Sequence, residues 1–164
     1  MKDHFLAQLE REAASTRKTL ERVPEGRGDW KPHEKSMTLG YLASLVASMP
    51  GWISFMIDRD EFCLNDPSSA EFKTRTLATR AELINQLDES VARARKALQG
   101  ATDEHLLKRW KLKTGDRVLS DEQRQAVIAD SFSHLAHHRG QLTVYLRLNN
   151  ASVPAIYGPS ADEH

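Results

Sequence analysis

Apolar positions repeat with a helical period along most of the chain. Phe5, Leu9, Ala13, Thr16, Leu20 and Val23 recur at steps of three and four and leave Arg11, Lys18 and Glu21 on the other side, which predicts an amphipathic helix of about 20 residues. Pro24 and Gly26 end it. Leu39, Leu42, Leu45, Met49, Trp52 and Met56 predict a second helix. It should kink at Pro50, whose ring clashes with the carbonyl four residues earlier and whose nitrogen cannot donate. Thr79-Arg80-Ala81-Glu82 has the spacing of a capping box, in which a hydroxyl and a carboxylate satisfy each other's backbone donors. The stripe Leu83, Leu87, Val91, Ala94 and Leu98 follows as a third helix, stopped by Gly100. A second such box, Ser120-Asp121-Glu122-Gln123, opens a fourth helix that reaches Asn149-Asn150.

Four long amphipathic segments predict an all-α protein, a four-helix bundle forming one domain over residues 1–164. The connection from Asp58 to Ala78 has no strong period and is too long for a tight turn, so it can span the bundle and leave helices two and three parallel. Thr102-Asp103-Glu104-His105 reads as the cap of a short extra helix. Trp110 to Leu119 alternates around Thr114-Gly115, the signature of a small hairpin beside the bundle.

Composition narrows the function classes. Lys and Arg number 23 and so do Asp and Glu. A net charge of zero removes the electrostatic case for a nucleic-acid binder or an anionic-membrane binder. A single cysteine, Cys63, excludes an internal disulfide and a Cys-rich zinc module. The first 15 residues are too charged for a signal peptide. Ser36 to Ile57 carries no charge, yet eight of its 22 residues are Ser, Thr, Gly or Pro, so it reads as a helix buried in protein rather than a membrane span. The expectation is a cytoplasmic protein.

The chemistry concentrates on the fourth helix. Its inward stripe is read as Val127, Ser131, His134, His138, Leu142 and Tyr145, with two imidazoles one turn apart, able to point at one metal ion. The alternative is a pair of core histidines hydrogen-bonded to their neighbours. No Glu follows His134, so this is not a zinc-protease helix. His137 is turned toward a neighbouring helix or a partner chain. Arg139 is read as solvated or ion-paired, Gly140 as a site of close helix approach, and Trp30, Trp52 and Trp110 as core or pocket lining. Cys63, if helix two reaches it, has Arg59 four residues back with Asp58, Asp60 and Glu61 opposing a thiolate, and is read as inert.

His134-Leu-Ala-His137-His138-Arg139-Gly140-Gln141-Leu142-Thr143-Val144-Tyr145-Leu146-Arg147-Leu148 resembles the last helix of the DinB family, metal-binding four-helix bundles related to the bacillithiol transferases and mycothiol-dependent isomerases. Segments from Trp30 to Gly40, Met49 to Trp52 and Val153 to Glu163 resemble the family's first loop, second helix and C-terminal tail. The resemblance implies an up-down-down-up bundle, a homodimer, and a divalent metal such as zinc or nickel held by three histidines. Two of these carry over onto His134 and His138. The third, five residues after Gly40, is Leu45. Asp130 and His33 are the candidates to replace it.

The expected function is therefore a metal or small-ligand pocket between helices two and four, with metal-dependent transfer to a thiol as the activity. The alternative is a metal-free, non-catalytic dimeric module, which Leu45 favours. The long uncharged second helix is read as offering the dimer an apolar face.

Overall fold

The computed structural model describes residues 1–67, 69 and 73–164. Helix α1 spans Lys2–Leu20, α2 Leu39–Ser48, α3 Trp52–Asp58, α4 Arg80–Gly100, α5 Asp103–Leu106 and α6 Arg124–Leu148. Strands β1 (Glu61–Cys63), β2 (Arg109–Thr114) and β3 (Arg117–Gln123) complete the fold. The predicted second helix is α2 and α3 joined by a 3₁₀ turn, Met49–Gly51, as the geometry of Pro50 requires. Thr79 and Glu82 form both halves of their capping box, and Thr102 caps α5 by accepting from the His105 N–H.

Cross-helix pairs give the directions. Phe5 stacks on Phe132 and Glu12 pairs with Arg139, so α1 and α6 advance together. Glu10–Arg95 and Arg17–Asp88 run oppositely along α1 and α4. Ser44 receives the Leu77 N–H, and Arg93 lies against Gly51, so the α2–α3 unit and α4 advance together. Residues 68 and 70–72 of the connection between them lie outside the described residues.

Three expectations are corrected. The protein is not purely α: β1 pairs in parallel with β2, and β2 pairs antiparallel with β3, so the predicted hairpin is part of a three-stranded sheet. Ser120 to Gln123 belong to β3 rather than to a helix cap, because pairing with Arg109–Leu112 satisfies the backbone that a cap would have served. The helix starts instead at Arg124, whose N–H donates to the Lys108 carbonyl. Its guanidinium is buried and donates to the carbonyls of Met56, Arg59 and Arg109 and to the Asp60 carboxylate, tying the end of α3 to the sheet. Cys63 is on a strand, half-buried, with its thiol 3.9 Å from the Gly115 carbonyl, so the helical relation to Arg59 does not exist.

The core runs through all the long helices, with Leu9, Leu20, Leu39, Leu42, Leu87, Leu98, Leu106, Ile128, Leu142 and Leu146 buried. Leu39–Asp58 is long and apolar enough by composition to cross a membrane, and 83% of its most apolar window is buried inside the protein. That helix is spent on the core, so it does not supply the free apolar face read for a dimer.

Candidate functional site

The buried side of α6 is Ile128, Ser131, Phe132, Leu135, Arg139, Leu142, Tyr145 and Leu146, so Ser131, Leu142 and Tyr145 of the predicted stripe are buried while Val127, His134 and His138 are displaced to its edge by Ile128, Leu135 and Arg139. His134 is exposed and His138 half-buried, so the pair stands on the shoulder of the helix rather than in the core. Its geometry is nevertheless specific. The Nε2 atoms of His134 and His138 are 2.9 Å apart. Gln141 organises them: its Oε1 accepts from His138 Nδ1–H at 2.8 Å, and its amide donates to His137 Nε2 at 3.0 Å. That leaves the His138 Nε2 lone pair facing His134, whose own Nε2–H donates to it. Burial and the two neighbouring imidazoles hold the His134 pKa below the usual histidine range.

This arrangement can serve a divalent ion at two positions. With His134 in its other tautomer, both Nε2 lone pairs converge. Their separation is close to the ~3.3 Å kept by two nitrogens that each lie ~2.0 Å from one tetrahedral ion. Gln141 fixes the His138 ring as outer partners of metal-bound imidazoles do. No cluster of three or more His, Cys, Asp or Glu suited to a metal occurs among the described residues.

The facing helix explains the missing donor. Arg124 reaches the Met56 carbonyl, Trp52 lies 5.7 Å from the His134 ring, and Tyr145 Oη donates to the Met37 carbonyl. The α2–α3 unit therefore runs opposite to α6. Leu45, about midway between Met37 and Trp52, comes level with the turn that begins at His138, and it is buried. His33 is in the loop before α2, its Nδ1 accepting from the Lys35 N–H. That loop meets α6 near Tyr145, three turns or ~16 Å beyond His134. Asp130, one turn before His134, lines the same cavity as His134.

That cavity has a volume of about 580 Å³ and lies between α3, the sheet and α6. Trp52, Phe55, Phe62, Trp110 and Leu112 form its walls, with Ser131 and His134 on the α6 side. Phe55 and Phe62 stack at 4.5 Å. Trp110 is 2% exposed, and its indole N–H has no acceptor among the described residues, a deficit of about 1–3 kcal/mol. Trp110, read as core or pocket lining, does line the cavity, whereas Phe62 and Leu112 were missed because a two-stranded hairpin has no reason to touch the site; the parallel strand β1 brings Phe62 against Phe55. Gln141 was legible only as a polar residue three and four positions after the histidines.

Other singled-out residues fall elsewhere. Arg139 is ion-paired and fully buried, donating to Glu12, to the Glu12 carbonyl, to Thr16 and to Tyr157. Trp30 packs edge-on against Tyr145. Gly140 is exposed with open space around it.

The fold and site together define a helical bundle that carries a histidine pair at the edge of an apolar cavity. The chain belongs to the DinB family, whose model matches residues 1–164. It is 28% identical to YrdA of Bacillus subtilis over 98% of this chain and 90% of that protein. A DinB-like protein from Bacillus cereus has the same fold, with a TM-score of 0.72 at 21% identity over 94% of this chain and 97% of the other. YfiT of Bacillus subtilis, described as a probable metal-dependent hydrolase with an unusual four-helix bundle topology, aligns with a TM-score of 0.63 at 16% identity, covering 92% and 89%.

Proposed function

We propose that this protein binds a small molecule with an apolar body in the cavity between α3, the sheet and α6, and presents its polar end to His134 and His138. The observation that carries this reading is the cavity itself: about 580 Å³ of mostly aromatic and aliphatic wall ending at one imidazole of an organised pair. Ligand sites have this character, apolar walls with a few convergent polar groups.

A divalent ion, zinc or nickel, would be held by His134 and His138 with solvent or the ligand completing its shell. When bound, such an ion supplies acidification of a thiol or a water at neutral pH. The likeness to YfiT, described as a probable metal-dependent hydrolase, supports metal-assisted hydrolysis or transfer as the reaction class. The chain's own residues provide the rest: His138 oriented by Gln141, His134 kept neutral, and aromatic walls that exclude water. Leu45 lowers metal affinity by withholding the third imidazole, and it favours the second reading, a metal-free binding module. The up-down-down-up course belongs to the proposal and is supported by the directions of the cross-helix pairs.

Self-association is proposed for the outer face of α6. Gly140, Val144 and Leu148 form one exposed stripe, with Val144 and Leu148 57% and 55% exposed. A helical glycine that costs about 1 kcal/mol and faces open space fits a second helix approaching there. A cytoplasmic site of action accords with the single free thiol.

The test is titration with N-phenyl-1-naphthylamine, a neutral fluorescent probe, against wild type and Val127→Trp. Saturable binding by the wild type that the bulkier wall abolishes is expected. Equal binding by both proteins, or none by either, would overturn the reading.

A further inference from the structure

A second, polar pocket of about 200 Å³ adjoins the apolar cavity and shares Trp52 and Lys73 with it. Its other walls include Ser48, Arg75, Gln86 and Arg93. Three cationic side chains face this space, and no carboxylate lines it among the described residues. In a chain with as many acids as bases, such a cluster is unusual. Among the described residues, eight arginines form salt bridges with carboxylates, but Arg75 and Arg93 form none. Glu82, which feels the charge of Arg75 without pairing with it, is held in place by the Ala78 and Thr79 N–H groups.

Three of the pocket's neutral side chains are already committed. Ser44 donates to the Gly40 carbonyl and accepts from the Leu77 N–H. Ser48 donates to the Ser44 carbonyl, and the Gln86 amide donates to Ser90. Beside the Thr74 hydroxyl and the Trp52 indole, the donors left over are the cations. Arg93 is exposed and lies against the Gly51 backbone: a Cβ at position 51 would lie 3.0 Å from its Nη2, so a side chain there would push the guanidinium aside. Gly51 does not have a positive φ, which makes this close approach, rather than the turn, the reason for a residue without a side chain.

We propose that this pocket is the anion subsite of the ligand whose body fills the neighbouring cavity, and that the ligand is an organic acid with polar groups at both ends: one meets His134, its apolar part lies among Trp52, Phe55 and Trp110, and its anionic group lies between Arg75, Arg93 and Lys73. The inference rests on the cavity's being a binding site. Paired guanidinium donors recognise a carboxylate or a comparable anion by charge-assisted hydrogen bonds that a neutral group cannot replace.

Binding of 2-naphthyl carboxylic acids with two- to four-carbon chains is measured by fluorescence against the matched naphthyl alcohols, on wild type, Arg75→Gln/Arg93→Gln and Gly51→Ala. For the best acid, wild type should prefer the acid over its alcohol by at least about tenfold. The arginine double variant should lose that preference while binding the alcohol unchanged, and Gly51→Ala should lose much of it by displacing Arg93. Equal binding of acids and alcohols by wild type would overturn the subsite and leave the cavity reading intact. A preference that survives in the double variant would place the anion elsewhere and overturn the assignment. If the neutral naphthylamine probe binds but no acid or alcohol does, the ligand class is wrong; if the probe also fails, the cavity reading falls with it.

Discussion

Helix α6 carries two polar clusters that begin on adjacent residues and have opposite fates. Arg139 points inward and is buried: Glu12, Thr16, the Glu12 carbonyl and Tyr157 take the donors of its two terminal nitrogens. His138, the residue before it, points to the shoulder of the helix, where Gln141 holds one ring nitrogen and the other meets His134 beside the cavity. A buried charge persists only when its hydrogen-bonding capacity is filled, and a filled group has nothing left to offer a ligand. His138 is satisfied by these two contacts, but the pair keeps one lone pair, that of His134 Nδ1, without a partner among the described residues. Satisfaction separates the structural cluster from the functional one here, since both are polar and both are on one helix.

The largest test of that distinction is stability. Arg139→Ala leaves Glu12 buried without its partner, and should destabilise the protein by about 3–5 kcal/mol, lowering the melting temperature by roughly 10 °C in a chain this size. His134→Ala and His138→Ala should each stay within about 0.5 kcal/mol of wild type. Urea unfolding monitored by circular dichroism measures all three. Comparable losses for the arginine and the histidines would erase the comparison. Glu12→Leu/Arg139→Met should recover much of the loss, because a matched apolar pair removes both charges together.

Metal affinity sharpens the other side. Leu45 comes level with the His138 turn on the facing helix, so Leu45→His should add an imidazole and raise zinc or nickel affinity about a hundredfold, or ~2.7 kcal/mol. Adding His138→Ala should abolish the gain, since the donors act as one site. Calorimetric titration decides it. Tight stoichiometric binding by wild type would mean that Asp130, which lines the same cavity, already completes the shell. An unchanged affinity for Leu45→His would mean that position 45 does not face the pair.

The register behind that prediction shows what the sequence made legible. The kinked second helix follows from its apolar spacing and Pro50, and α4 from its capping box. Two phases compete in α6. The stripe through Val127, Ser131, His134 and His138 contains the histidine motif, whereas Ile128, Phe132, Leu135, Arg139, Leu142 and Leu146 has one polar member instead of three. Ser131 is buried with the second set, but around the histidines burial follows Leu135 and Arg139, because an arginine with three partners is easier to enclose than two imidazoles. Ser120 to Gln123 has the letters of a capping box, but strand pairing with β2, about ten residues earlier, outcompetes it. A three-residue strand such as Glu61–Cys63 is too short to show alternation, so the wall it supplies to the cavity was hidden.

The smallest expected effect is a pair of pH dependences at opposite ends of the scale. His134 has its pKa depressed by burial and by His138 and His137. The unfolded chain therefore takes up the proton first, and stability falls as pH drops below about 6.5, with no further loss from this group once pH is under its folded pKa. Tyr157 is shifted the other way, raised by burial and by its bond to the Glu12 carboxylate. Its contribution is complete below about pH 10 and is lost as pH rises through the folded pKa, because the unfolded phenol ionises first. Unfolding free energies of wild type, His134→Gln and Tyr157→Phe, measured from pH 5 to 11, should show the acid-side slope reduced only by the first substitution and the alkaline-side slope only by the second. Removal of the acid-side slope by Tyr157→Phe would mean that the two clusters on α6 are electrostatically one, and the division between a closed structural network and an open site would fail.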